Sequence, residues 1–158
     1  IRHRAVRRPV LRRARRGRGN GAVAIVTGPA QRQWLADELA AARKAGQRVV
    51  LLCHYVLLPL GPHSLCDADE VLEIIKPYAD IAPIWLNGHN HDGSYIAKHG
   101  IHFLNFRGMV DTEKNSYARL ELSQQEIKII GFGREPNRTL KVPAPDAPLD
   151  PPEVTPGK

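Results

Sequence analysis

The run Arg48-Val49-Val50-Leu51-Leu52-Cys53-His54 restricts the possible folds more than any other stretch of the chain. Its unbroken β-branched and aliphatic residues suit a strand buried on both faces, as in the interior of a parallel sheet. Parallel strands need crossover connections, and helical patterns stand on both sides of this run. Upstream, Thr27-Gly28-Pro29 starts a helix with proline in its first turn, and Gln31 to Ala45 continues it. Leu35, Leu39 and Ala42 mark one apolar face that Trp34 widens, Arg43 and Lys44 complement the C-terminal dipole, and Gly46 ends the helix. Downstream, a loop from Tyr55 to Asp67 with Pro59, Gly61 and Pro62 leads into a second helix. That helix carries Val71, Leu72, Ile74 and Ile75, takes Asp67 or Asp69 as its cap, and stops at Tyr78 because of Pro77. A second strand, Ile81 to Leu86, follows. The order helix, strand, helix, strand predicts an α/β fold, with a histidine just past the C-terminal end of each strand, where open α/β sheets bind ligands.

The flanks differ in character. Residues 1 to 20 carry nine arginines and no acidic residue, so of the net charge of +7 the remainder of the chain holds −2. The basic character therefore belongs to residues 1 to 21, expected to be a disordered arm able to contact nucleic acid by charge alone. The chain opens on isoleucine instead of methionine, which suggests either a fragment or a poorly defined gene start. Ala22 to Val26 is a short apolar piece, either a strand or the remnant of one. Beyond Gly93 the pattern changes to short alternating strands: Tyr95 to Lys98, a turn at His99-Gly100, then Ile101 to Phe106. Tyr117 to Leu122 and Ile127 to Phe132 form a further hairpin around Ser123-Gln124-Gln125-Glu126. Residues 22 to 136 thus form the folded part, and 137 to 158, with six prolines, are expected to be a disordered tail. No signal peptide or membrane span is recognisable. Cys53 and Cys66 have no metal-finger spacing and cannot make a disulfide framework, so a cytoplasmic location is expected.

The chemistry concentrates in His54, His89 and His91. In Trp85-Leu86-Asn87-Gly88-His89-Asn90-His91-Asp92-Gly93 the second strand ends in a glycine turn and two histidines one residue apart. Strand-end imidazoles from two distant positions can converge on a divalent metal, neutral imidazole suiting manganese, iron, zinc or cobalt. Other histidine motifs fail on spacing. A His-x-His-x-Asp-His hydrolase pattern is broken because Asp92 directly follows His91, and neither His-Glu-x-x-His nor a Gly-x-Ser-x-Gly elbow is present. Ser64 and Ser94 lie in loops with no organised base beside them, and no catalytic side chain is assigned. Asn90, between the two histidines, either approaches substrate or sets the turn.

Gln33-Trp34-Leu35, Val49 to His54, Gly88-His89-Asn90-His91 and Gly100-Ile101-His102-Phe103 resemble the C-terminal half of calcineurin-like metallophosphoesterases. Gly108-Met109-Val110-Asp111 and Gly131-Phe132-Gly133-Arg134 make the chain most similar to the manganese-dependent ADP-ribose/CDP-alcohol diphosphatase branch, over residues 27 to 140. The resemblance implies the C-terminal half of a two-sheet β-sandwich flanked by helices, and a divalent metal pair, manganese first. In that family the two ions share a bridging aspartate and a bridging water. Carried over by position, His54 and His89 would ligate one ion and His91 the other. The implied reaction is hydrolysis of a phosphodiester or pyrophosphate in a nucleotide-like substrate. The family's Asp-x-His, Gly-Asp-x-x-Asp and Gly-Asn-His-Asp/Glu motifs do not occur here, so the chain is expected to be the C-terminal portion of such an enzyme. The alternative is a non-catalytic remnant, or a binding module whose basic arm contacts nucleic acid. Half a sandwich would also leave an apolar sheet face and unpaired edges exposed.

Overall fold

The computed structural model describes residues 25–110 and 112–144, together with the backbone of two short strands at 3–6 and 12–13. A five-stranded sheet lies at its centre, in the order β1-β4-β5-β7-β6. These strands are β1 (His3–Val6), β4 (Arg48–Leu52), β5 (Ile84–Asn87), β6 (Ser94–Lys98) and β7 (Ile101–Asn105). β1, β4, β5 and β7 run parallel, and β6 closes the sheet as an antiparallel hairpin partner of β7. His99 and Gly100 both have positive φ, 54° and 71°, which is the backbone that a two-residue hairpin turn demands. A three-stranded antiparallel sheet packs on one face: β8 (Ser116–Leu122), β9 (Glu126–Gly133) and β10 (Arg138–Lys141), in the order β10-β9-β8. Helices α1 (Pro29–Lys44) and α2 (Ala68–Ile75) pack on the other face, α2 running on into a short 3-10 turn at Lys76–Tyr78.

Strand alternation divides the core into two halves. Val49 and Leu51 of β4, Trp85 of β5, and Ile101 and Phe103 of β7 pack against Leu39 and Ala42 of α1 and Val71, Leu72 and Ile75 of α2. Their neighbours in register, Val50, Ile84, Leu86 and Leu104, face Ile127, Ile129 and Leu140 of the second sheet. This period of two produces the helix-over-sheet-over-sheet arrangement expected from the sequence, an α/β two-sheet sandwich with helices on one face. The sheets are also tied by His102, whose ring lies 2.9 Å from the Tyr95 hydroxyl and 2.7 Å from the Lys141 carbonyl oxygen.

Several boundaries move for local reasons. The second buried strand starts at Ile84, not Ile81, because Pro83 has no N–H to donate and the amides of Ile81 and Ala82 turn back to the Tyr78 carbonyl. Asp67 occupies the cap position of α2, but its side chain makes no cap hydrogen bond there. The expected disordered tail over 137–158 is corrected at its start. Arg138–Lys141 is a strand on β9, and Leu140, only 6 % exposed, anchors it to the sandwich core; residues 145–158 lie outside the described residues. The expected disordered arm over 1–21 is corrected in two places. β1 runs parallel to β4, and β2 (Arg12–Arg13) pairs with β3 (Ile25–Val26), so strand edges that would otherwise lack partners are met there. The remaining arm residues, and with them the nucleic-acid contact, lie outside the described residues.

At the C-terminal ends of β4 and β5 the two sheets diverge, leaving an open cleft of about 700 Å³ whose lining includes Leu52, Leu86, Phe106, Tyr117 and Leu120. Leu52 is 45 % exposed and Tyr117 50 %, and among the described residues β8 has no strand on its outer edge. No helix among the described residues is long and apolar enough to cross a membrane.

Candidate metal centre

His54 stands two residues past β4 and His89 two residues past β5. The parallel pairing continues beyond both strands: the Cys53 amide donates to the Leu86 carbonyl at 3.0 Å, and the Gly88 amide donates to the His54 carbonyl at 3.1 Å. These two bonds fix the histidine-bearing segments side by side. The imidazoles of His54 and His89 meet edge to face, with ring centroids 5.3 Å apart.

His89 sits in the left-handed region at φ 67°, a conformation that a residue with a Cβ adopts only under local constraint. The constraint is a buried amide pair. Asn87, at the end of β5, donates from Nδ2 to Asn105 Oδ1 at 2.5 Å and to the Gly88 carbonyl at 3.0 Å. Asn105, at the paired end of β7, donates in turn to the Asn90 carbonyl. Asn90 Oδ1 accepts from the Asp92 amide at 3.2 Å, so this side chain sets the turn. Both Asn87 and Asn105 are buried. The turn is therefore built from inside the sheet, and the imidazole of His89 is left projecting at its rim.

The structure brings His54 and His89 ring to ring. His91 lies two residues further on, exposed, with its carbonyl accepting from the Gly108 amide at 3.0 Å. Burial, followed by the neighbouring imidazoles of His54, His63 and His91, holds the His89 pKa below its ordinary value. The neutral ring is the form that ligates metal. Among the described residues, however, no group of three or more His, Cys, Asp or Glu side chains is placed so that it could hold a metal ion. A zinc-type site takes three or four protein ligands per ion, so these three imidazoles do not fit a complete two-ion centre.

Two further aromatic side chains complete the rim. Tyr55 lies against His89 with ring centroids 4.4 Å apart, and His63, from the loop between β4 and α2, lies 5.4 Å from His89. Neither was evident in the sequence, where the loop offers no motif and its only signals are Pro59, Gly61 and Pro62. The Ser64 hydroxyl donates to the Gly61 carbonyl of its own loop at 2.7 Å, and this accounts for it as a loop-setting residue.

No protein-family model matches the sequence. Two similar proteins are manganese-dependent ADP-ribose/CDP-alcohol diphosphatases. The one from Xenopus laevis is 26 % identical over 118 residues, covering 71 % of this chain and 33 % of the relative. The one from Mus musculus is 28 % identical over 116 residues, covering 70 % of this chain and 34 % of the relative. The chain thus spans about one third of the length of the curated relatives it matches. Among solved structures, a dimetal phosphatase from Danio rerio superposes with a TM-score of 0.67 at 22 % identity, covering 73 % of this chain and 38 % of that one. Over the shared region the fold is that of this dimetal phosphatase.

Proposed function

We propose that this chain carries the imidazole-bearing part of a divalent-metal phosphoesterase or pyrophosphatase acting on a nucleotide-like phosphodiester or diphosphate. The observation that carries this reading is the His54–His89 pair, placed ring to ring where two parallel strands end. The names of the relatives supply the substrate class and make manganese the first choice of metal, with iron, zinc and cobalt as other options. His54, His89 and His91 are the proposed metal ligands. The carboxylates that a two-ion centre also needs are not contributed by the described residues, so hydrolysis requires donors from elsewhere. The chain is in this reading the C-terminal portion of the enzyme, and its unpaired Cys53 and Cys66 go with a reducing, cytoplasmic location.

The test is metal binding by the whole chain. Manganese titration followed by isothermal calorimetry should show a site that His89→Ala weakens at least tenfold, because one of few ligands is lost. Equal affinity in the variant refutes the ligand assignment. A second reading, a non-catalytic remnant or binding module, is favoured by the absence of a three-donor group among the described residues. A wild-type chain that binds no manganese selects it.

A further inference from the structure

The fold delivers a fourth imidazole to the rim from a segment that carries no histidine motif. His63 stands at the tip of the loop between β4 and α2, and its ring meets that of His89 edge to face, at 69° and 5.4 Å between centroids. The tip is held in place. The Ser64 hydroxyl accepts from the Gly61 amide at 3.0 Å and donates to the Gly61 carbonyl at 2.7 Å. The Leu65 amide donates to Val56, with Val56 and Ser64 forming a bridge across the base of the loop. Val56, Leu57, Leu58 and Leu65 are all buried, so the loop is anchored in the helix-side core while His63 itself is exposed. Packing therefore requires the loop but does not require an imidazole at its tip.

We infer that His63 is a substrate-contacting residue of the site proposed above, donating a ring N–H to a non-bridging oxygen of a phosphate or diphosphate seated at the His54–His89 rim. The inference rests on that reading. An imidazole carries an N–H donor in either protonation state, and a hydrogen bond to an ionised phosphate oxygen is roughly twice as strong as one between neutral groups. A donor reaches such an oxygen at about 2.7–3.2 Å, so an oxyanion beside His89 is within range of a ring whose centroid lies 5.4 Å from that of His89. His63 approaches from the loop side, whereas His54 and His89 approach from the strand ends. Its contact would favour substrates with a phosphate group extending toward the loop.

The experiment uses the full chain and two probes, Mn²⁺ alone by calorimetry and inorganic pyrophosphate by equilibrium dialysis at constant free Mn²⁺. His63→Ala is expected to weaken pyrophosphate binding about tenfold, the scale of one hydrogen bond to a charged group, with Mn²⁺ affinity within about twofold of wild type. His63→Asn, which keeps an N–H donor, is expected to recover most of the loss. Unchanged pyrophosphate affinity in His63→Ala overturns the inference and leaves the metal reading standing. Equal losses in the Ala and Asn variants, or a parallel loss of Mn²⁺ affinity, also overturn it, by making His63 structural or a ligand. A wild-type chain that binds no Mn²⁺ overturns the underlying reading and this inference with it.

Discussion

Replacing Asp67 with alanine should unfasten the foot of the loop that carries His63. Asp67 is 5 % exposed, and its carboxylate ties α2 to the entrance of α1. The Thr27 amide donates to both of its oxygens, at 3.1 and 2.9 Å, the Thr27 hydroxyl donates at 2.6 Å, and the Arg32 guanidinium closes an ion pair. Breaking a buried pair by removing one partner costs about 3–5 kcal/mol. The Arg32 side chain is 23 % exposed, so water can rehydrate it in part, and the lower end applies: about 3 kcal/mol. For a chain of this length each kcal/mol moves Tm by about 2–4 °C, giving a fall of about 9 °C. Asp67→Asn keeps an acceptor for Thr27 but loses the charge, and about half that cost is expected. Urea denaturation followed by circular dichroism, read as a shift in midpoint at constant slope, measures both. A loss below about 1 kcal/mol in the alanine variant would refute the reasoning. The pH dependence gives a second check. Burial pushes the Asp67 carboxyl up, but the Thr27 hydrogen bonds and Arg32 outweigh it and hold it below the ordinary carboxylate value. A depressed folded-state pKa contributes stability that is present above the unfolded value of about 3.9 and lost as pH falls through the folded one. The stability gap between wild type and Asp67→Asn should therefore be full at neutral pH and close in acid.

Two other substitutions address the aim of His89 and the packing of the β9–β10 connection. Asn105→Ala leaves Asn87 Nδ2 without its side-chain acceptor and the Asn90 carbonyl without its donor; a loss of about 2 kcal/mol in melting experiments is expected, with manganese binding weakened several-fold. A folded variant with unchanged manganese affinity would remove the amide pair from any role in presenting His89. Gly131→Ala would place a Cβ 2.0 Å from the Glu135 carbonyl oxygen and 2.8 Å from that of Pro136, both backbone atoms. A destabilisation of about 2–3 kcal/mol is expected, against almost none for Gly61→Ala, where nothing lies within 4 Å. Comparable urea midpoints for the two would contradict the close approach.

The buried strands and their histidines could be read from the sequence because a continuous apolar run ending in an imidazole has few other structural uses. Which face each residue takes was not legible in so continuous a run: only the structure shows Val49 and Leu51 against the helices and Val50 against β9 and β10. The strand Arg138–Lys141 was hidden by the prolines around it, and its single buried anchor, Leu140, is too little for an alternating pattern to register. The loop from Tyr55 to Asp67 was hidden in a different way. Its prolines and glycine suggest exposure, yet Val56, Leu57, Leu58 and Leu65 are buried, and apolar residues without a period show nothing of where they pack. The type of Asp67 signals a cap, but its choice of Thr27 and Arg32 over the helix it precedes depends on donors 40 and 35 residues away.

These hidden features bear on the same few side chains. The rim imidazoles are held from beneath by Asn87 and Asn105 and faced from above by a loop whose own residues are core, with Asp67 pinning its end. A metal or phosphate site works only when its supporting groups are already placed before the ligand arrives. Here the support is internal to the chain, although the described donor set is incomplete. The position of His89 is set within the chain, because the hydrogen bonds that shape its turn come from β5 and β7. Under the proposed reading, further donors would meet a preformed imidazole edge, and metal affinity should rise with each added ligand while the aim of His89 stays the same.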